Sequence, residues 1–211
     1  MKMPVTLLAV VAMATLASCQ RESAPAPAML PDIEVSFELT DEFARPVSAD
    51  RYGGRLRLVF FGYTTCPDIC PITLHNIATA LRSLGNSAQR VTVLFISVDP
   101  KRDTPDRLRQ YTDAFHPSII GLTGTYDQIL AVTANFRTTF GYSLSGDGGH
   151  ERPLSRDDYE ALPATVSYIP YHGSQVYVVG ANDELLDIIG YGSTSAQIEN
   201  TLRTYIDQSN R

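Results

Sequence analysis

The run Leu56-Arg57-Leu58-Val59-Phe60-Phe61-Gly62 is the segment that most limits what this chain can fold into. It is apolar without a polar alternate face, and it is bounded by Gly53-Gly54 on one side and a cysteine-bearing turn on the other. Such a run is expected of a central strand covered on both faces. Leu74, Ile77, Ala78, Leu81 and Leu84 follow at helical spacing until Gly85-Asn86 stops the pattern. Val91 to Val98 is a second buried strand, and Thr104 can cap a helix that starts at Pro105 and runs to about Phe115. Strand, helix, strand, helix in this order implies a parallel pair of strands with right-handed crossovers.

The remaining pattern extends that core. Val35, Phe37 and Leu39 alternate with polar residues over Glu34 to Thr40, as in a half-buried strand. Ser118 to Leu122 reads as a short strand, Tyr126 to Phe140 as a helix, and Ser195 to Ile206 as a last helix. Gln175–Val179 and Leu185–Ile189 flank Gly180-Ala181-Asn182-Asp183 as a hairpin. The order matches an α/β, thioredoxin-like layout: a central mixed sheet flanked by helices, with an N-terminal strand extension and a long loop insertion. Gly141 to Pro170, with Gly146-Asp147-Gly148-Gly149 in its middle, reads as an irregular excursion.

Ahead of the domain, Lys2 precedes the apolar stretch Val5 to Leu16, too short to span a bilayer comfortably but right for an export signal. The stretch ends Leu16-Ala17-Ser18-Cys19, which resembles the lipobox of bacterial lipoproteins. This assigns residues 1–18 to a signal peptide and Cys19 to lipidation. The proline-rich residues 19–31 form a flexible tether, and 32–211 a single folded domain. The expected location is outside the cytoplasm, lipid-anchored to a bacterial membrane and facing the periplasm. With 17 basic against 23 acidic residues, a formal charge of -6 and no basic run, nucleic-acid binding is excluded as a function class.

With Cys19 assigned to the lipid, two cysteines remain, in Cys66-Pro67-Asp68-Ile69-Cys70-Pro71. They sit where a buried strand gives way to a helix, and the amide end of a helix favours thiolate over thiol. If the turn is helix-like, a four-residue step puts both side chains on one face with α-carbons ~6 Å apart, compatible with a disulfide or with a shared soft metal ion. A purely stabilising bridge is the weaker reading, because so short a loop removes little entropy from the unfolded chain. Dithiol exchange and metal binding both need two accessible thiolates, and both stay open at this level.

The segment Phe60-Phe61-Gly62-Tyr63-Thr64-Thr65-Cys66-Pro67-Asp68-Ile69-Cys70-Pro71, with Ser97-Val98-Asp99-Pro100-Lys101-Arg102-Asp103-Thr104-Pro105, resembles the Sco/SenC family of copper-delivery proteins over roughly residues 33 to 207. Ordinary thioredoxins place two residues, not three, between their cysteines. The resemblance implies a membrane-anchored metallochaperone that helps assemble the dinuclear copper centre of cytochrome c oxidase. It also implies copper, as Cu(I) or Cu(II), held by Cys66, Cys70 and a distant histidine. Position assigns that histidine to His172, in Tyr171-His172-Gly173-Ser174-Gln175-Val176-Tyr177. Tyr171 and Gly173 depart from the Asp and the Ser or Thr usual beside it, which bears on how the imidazole is oriented. Implied partners are the copper-site subunit of the oxidase or another cuproprotein, a copper donor and a thiol-disulfide reductase. The alternative reading is a thiol-disulfide oxidoreductase that uses Cys66 and Cys70 as a redox pair without carrying metal.

The other candidates have plainer readings. His75 flanks a helix, His116 precedes Pro117 at a helix end, where a cation could meet the negative end of the dipole, and His150, in the glycine-rich excursion, is the one rival to His172. Asp99, Arg102 and Asp103 read as turn and cap chemistry first, with a further part in shaping the metal pocket. Asp68 either caps the helix after it or raises the cysteine pKa by repulsion.

Overall fold

The structure, a computed structural model, describes residues 30, 32–145, 151–163 and 165–208. The expected signal peptide, Cys19 and most of the tether lie outside the described residues.

The apolar runs form the centre. Strand β3 (Leu56–Gly62) pairs in parallel with β4 (Val91–Ser97), and β4 pairs in parallel with β5 (Ile119–Thr123). On the far side of β3 come β9 (Val176–Val179) and then β10 (Leu185–Ile189), both antiparallel to their neighbours. On the far side of β5, β1 (Glu38–Asp41) and β2 (Pro46–Ser48) extend the sheet, giving the order β10-β9-β3-β4-β5-β1-β2. One face carries α1 (Ile69–Leu84), α2 (Pro105–Asp113) and α5 (Ser195–Gln208), packed on Leu58, Phe60, Val93 and Phe95. The other carries α3 (Tyr126–Asn135), packed on Val59, Phe61, Leu94 and Ile96. Successive residues of β3 and β4 thus enter opposite cores, which is why neither strand shows a polar alternate.

Element ends differ from the sequence pattern for local reasons. The first strand begins at Glu38 rather than Glu34, because its ladder partners start there; Glu34 instead donates to the Asn135 carbonyl and Ser36 accepts from the Asn135 amide. Helix α2 is capped by Thr104, as expected, but stops at Asp113. Helix α3 stops at Asn135, not Phe140. Arg137 takes φ 50° and its N–H meets the Ala134 carbonyl, while the Thr138 N–H meets that of Thr133. That is the two-bond C-terminal motif that closes a helix with one left-handed residue.

The largest departure is the segment 141–170, which is not an irregular excursion in its described part. It holds β6 (Phe140–Ser145), β7 (Glu151–Pro153) and α4 (Arg156–Ala161), and leads into β8 (Ile169–His172). The three strands make a second antiparallel sheet in the order β7-β6-β8. Tyr142, Tyr159 and Tyr168 form its small core. Tyr142 and Tyr159 stack at 3.7 Å, and Tyr168 meets both edge-on at 5.6 and 5.5 Å. Helix α4 starts with a reciprocal cap between Ser155 and Asp158. The insertion matters because its last strand delivers His172.

Candidate metal centre

Cys66, Cys70 and His172 come together at the end of β3 where the parallel strands point their carboxyl ends. Their ligand atoms all lie within 4.8 Å of one another, and Cys70 Sγ is 3.6 Å from His172 Nε2. An ion with sulfur bonds of ~2.3 Å and nitrogen bonds of ~2.0 Å in a trigonal plane separates S and N donors by ~3.7 Å, so the set is nearly closed to coordination distance already. Both cysteines are free thiols, Cys66 half-buried and Cys70 fully buried. Among the described residues, no fourth histidine, cysteine or carboxylate joins the group.

The strand-to-helix turn sets the sulfurs. Cys66 N–H returns to the Tyr63 carbonyl, and Ile72 N–H to that of Asp68, so the chain is already coiling as it leaves β3. Asp68 stands at the cap position of α1, yet its carboxylate makes no capping bond. The acceptor is instead the Cys66 sulfur, 3.4 Å from the Cys70 amide. Unpaired amides of a helix's first turn and the positive end of its dipole stabilise an anion there. Gly62 makes room for the second sulfur: a Cβ at that position would stand 2.5 Å from Phe95 Cε2 and 2.8 Å from Cys70 Sγ.

These contacts split the two thiols. Cys66 is lowered to about 3, chiefly by the hydrogen bond from the Cys70 thiol and also by His172 and by the amides of Cys70 and Asp68. Cys70 is pushed up, first by its bond to Cys66 and then by burial. The backbone amide of Asp68 is one of the groups that lower the Cys66 pKa.

His172 is oriented without the neighbours usual for its family pattern. Its Nδ1 lies 2.8 Å from the Gly173 carbonyl, which can only accept, so Nδ1 holds a proton and Nε2 is the nitrogen turned toward the thiols. Tyr63 and Phe60 hold the ring edge-on at 5.8 and 6.2 Å. Gly173 itself is confined, since a Cβ there would meet Thr138 Oγ1.

The residues Ser97 to Thr104 brace this site from two directions. Asp103 is fully buried and accepts from the Thr64 amide at 2.9 Å, the Thr64 hydroxyl at 2.6 Å and the Ser97 hydroxyl at 2.6 Å. Arg107 then donates to Thr64 Oγ1 at 2.8 Å. Asp99, also fully buried, accepts from the Tyr168 hydroxyl and from Arg102 Nε, and the Arg102 guanidinium lies 4.0 Å over the Tyr168 ring. Burial pushes the Asp99 carboxyl above its usual range, against both partners. Lys101 Nζ reaches the carbonyls of Tyr159, Glu160 and Leu162 at the end of α4 and sits 4.6 Å from the Tyr159 ring. Asp103 thus ties down the cysteine turn, while Asp99, Lys101 and Arg102 tie down the insertion that carries His172. The structural reading of this motif holds, and it reaches further than turn chemistry.

The remaining histidines separate cleanly. His75 is exposed on α1. His116 does not take up the charge its helix-end position would favour: burial first and Arg82 second lower its pKa, and its Nδ1 accepts the Ser118 amide at 3.1 Å. His150 lies outside the described residues. Sequence reasoning did not single out Gly62, Lys101 or Tyr168. Lys101 and Tyr168 have partners 58 and 69 residues away, and Gly62 is set by the Phe95 ring and the Cys70 sulfur that meet beside it, none of which a local pattern carries.

The comparisons with known proteins agree with this geometry. The SCO1/SenC family profile matches residues 26–207. The SCO2-like protein of Rickettsia felis is 34% identical over 167 residues, which cover 79% of this chain and 74% of that protein. Bradyrhizobium japonicum ScoI, solved with copper bound, superposes with a TM-score of 0.67 at 30% identity, covering 82% of this chain and 99% of that one. Arabidopsis thaliana ScoI, also solved with copper bound, gives 0.70 at 26% identity, covering 84% and 99%. A family match that spans both cysteines, the Asp99–Asp103 motif and His172, on a shared thioredoxin-like fold, places this chain in the SCO1/SenC family.

Proposed function

We propose that this chain is a copper carrier that holds one ion through Cys66, Cys70 and His172 and hands it to the copper-site subunit of cytochrome c oxidase. The family is linked to copper handling for that oxidase, and two similar proteins were solved with copper bound. The observation that carries the reading is the 3.6 Å approach of His172 Nε2 to Cys70 Sγ across 102 residues of sequence. An imidazole nitrogen aimed at the buried sulfur completes a donor set for a soft ion: two thiolates suit Cu(I), and the imidazole extends the site to Cu(II). Release then proceeds by ligand exchange, beginning at the more accessible Cys66.

Lipidation of Cys19, with the domain held at a bacterial membrane and facing the periplasm, completes the proposal; it is supported by the Leu16-Ala17-Ser18-Cys19 sequence. Among the described residues, no helix is long and apolar enough to cross a membrane.

The test is an anaerobic copper titration of the reduced chain from Leu30 onward, beside His172→Ala. One copper per wild-type chain, with a thiolate-to-Cu(II) absorption that the variant lacks, is the expected result; no uptake by wild type would remove the carrier reading. A second reading, a thiol-disulfide oxidoreductase acting on a copper-site apoprotein, is favoured by the half-buried, acidic Cys66 beside a buried Cys70. It expects a mixed disulfide trapped by Cys70→Ser and no loss of exchange in His172→Ala.

A further inference from the structure

We propose that Tyr171 is a positioning residue of the copper site: its ring, seated on Gly141 of the neighbouring strand, fixes the register of β8 and with it the side from which His172 faces the cysteines. This inference rests on the copper-carrier reading.

His172 is the last residue of an edge strand. Among the described residues β8 pairs with β6 alone, in the order β7-β6-β8. The ladder between them is four pairs long, and one of its residues, Pro170, has no N–H to donate. Backbone bonds are the same in a slipped ladder, so side chains must choose the register. The site demands one register. His172 stands opposite Phe140, and Pro170 opposite Tyr142, on the face that packs toward the tyrosine core; Gly141 and Tyr171 face the other way. A slip of one residue turns His172 onto that other face. A slip of two carries it about 7 Å along the strand, where only 3.6 Å separates Nε2 from Cys70 Sγ in the native register.

The pair Gly141–Tyr171 makes the choice. A Cβ at Gly141 would stand 2.2 Å from Tyr171 Oη, 2.4 Å from Cζ and 2.9 Å from Cε1, so the ring lies directly against the glycine backbone. An aromatic ring that covers a glycine across an edge pair pins register. Tyr171 is 48% exposed, so its outer side stays in solvent and the contact is not core burial. In slipped pairings the ring would face Phe140 or Tyr142, or Thr139 or Ser143, each with a side chain in the way. The glycine admits it at one register only. A second contact lies beyond His172. The Gly173 N–H bonds to the Thr139 carbonyl at 3.0 Å, and Thr138 Oγ1 stands 2.2 Å from where a Gly173 Cβ would be. His172 is thus held between two contacts, in each of which a side chain of one segment occupies the space over a glycine of the other. Without the Tyr171 ring the strand keeps only the second contact, which displaces the imidazole and leaves the rest of the domain in place.

The two oxidation states of copper separate this role from a general loss of stability. Two thiolates suit Cu(I), whereas the imidazole extends the site to Cu(II). A displaced His172 therefore weakens the hold on Cu(II) and spares Cu(I). The experiment uses the full-length reduced chain in detergent, with Cu(I) and Cu(II) as probes. Each is competed against a chelator without oxygen, and the thiolate-to-Cu(II) band is recorded. Tyr171→Ala is expected to bind Cu(I) as wild type does and Cu(II) about 10–100-fold more weakly, the range for losing a group that orients a metal ligand. Gly141→Ala, which keeps Tyr171 but fills its seat, is expected to do the same. Tyr171→Phe, which puts a ring back on the glycine, recovers the Cu(II) affinity and the band. Unchanged Cu(II) affinity in Tyr171→Ala, or equal weakening of Cu(I) and Cu(II), would overturn the inference while leaving the carrier reading standing. If Tyr171→Ala fails to fold, Gly141→Ala decides by the same split, and wild-type Cu(II) binding there overturns it. No uptake of either ion by wild type overturns the carrier reading, and the inference with it.

Discussion

The Asp103 carboxylate holds Thr64 by both its backbone N–H and its hydroxyl, at 2.9 and 2.6 Å, across 39 residues of sequence. The same carboxylate takes the Ser97 hydroxyl, so the end of β4 and the turn that carries Cys66 are fixed to one buried anion. Asp103→Asn keeps the shape but replaces one acceptor oxygen with an NH2 that faces a donor. It is expected to lower stability by about 1–3 kcal/mol. It also frees the cysteine turn, so alkylation of Cys66 becomes faster in the folded protein. Urea unfolding and timed alkylation check the two effects, and a variant as stable and as slowly labelled as wild type would refute the pinning role.

Gly62 is the second fixed point. Its absent side chain is the space in which Cys70 Sγ and the Phe95 ring meet, and the backbone on either side is central strand that cannot shift. Gly62→Ala is expected to cost about 1–3 kcal/mol from overpacking. It should also displace the Cys70 sulfur from His172, weakening copper binding in the fraction that folds. Thermal melts and the copper titration together report this. A stable variant with normal copper affinity would show that the strand can give way after all.

The division between the thiols predicts a pH dependence. Cys66, lowered to about 3, is thiolate across the neutral range and Cys70 is not. Alkylation at Cys66 is expected to precede that at Cys70 and to stay nearly level from about pH 5 to 8, where an ordinary thiol near pKa 8.5 changes about tenfold per pH unit. Stability follows by linkage. For Cys66 the folded pKa lies below the unfolded one, so its contribution is present above about pH 9 and is lost as pH falls toward 3. For Cys70 the folded pKa lies above, so raising pH beyond the unfolded value favours the unfolded chain. The thiol part of the stability of reduced protein therefore peaks near pH 9 and falls on both sides. Urea midpoints of reduced wild type against Cys66→Ser across pH isolate the acid limb, and a constant difference between them would disprove it.

What could be read in the sequence depended on how far apart the causes lie. The parallel core was legible because β3 and β4 are each continuous apolar runs, and α2 because Thr104 and Pro105 cap it locally. The cysteine pair was legible from its own spacing, and His172 from a family pattern rather than from any local signal. The second sheet was not legible. Its strands are short, glycines and prolines punctuate it, and its stability comes from three tyrosines spread over residues 142 to 168, one of them bonded to Asp99. Asp99 and Asp103 were read as turn formers because their near neighbours show that much. Their partners Tyr168 and Thr64 become visible only when β4, the cysteine turn and the insertion are brought to one end of the sheet.

Arg57 poses a test of a different kind, at the opposite end of β3 from the cysteines. It is fully buried; its Nη2 donates to the Gly180 carbonyl and to the half-exposed Asp183, while Nε and Nη1 have no partner among the described residues. A buried cation so incompletely paired contributes little net stability, and an apolar residue of similar length can replace it without loss. Arg57→Met is therefore expected to be neutral or stabilising. Asp183→Asn should behave oppositely. Asn tolerates the left-handed φ of 67° at this position, so the backbone stays as it is, and what is lost is the one anion facing the buried guanidinium. The expected cost is about 1–3 kcal/mol, reduced as added salt screens the half-exposed partner. The double variant Arg57→Met with Asp183→Asn should recover most of that loss, since no buried charge then remains to be compensated. Urea unfolding of the four proteins closes the cycle, and additive losses would show that the two residues are not a pair in solution.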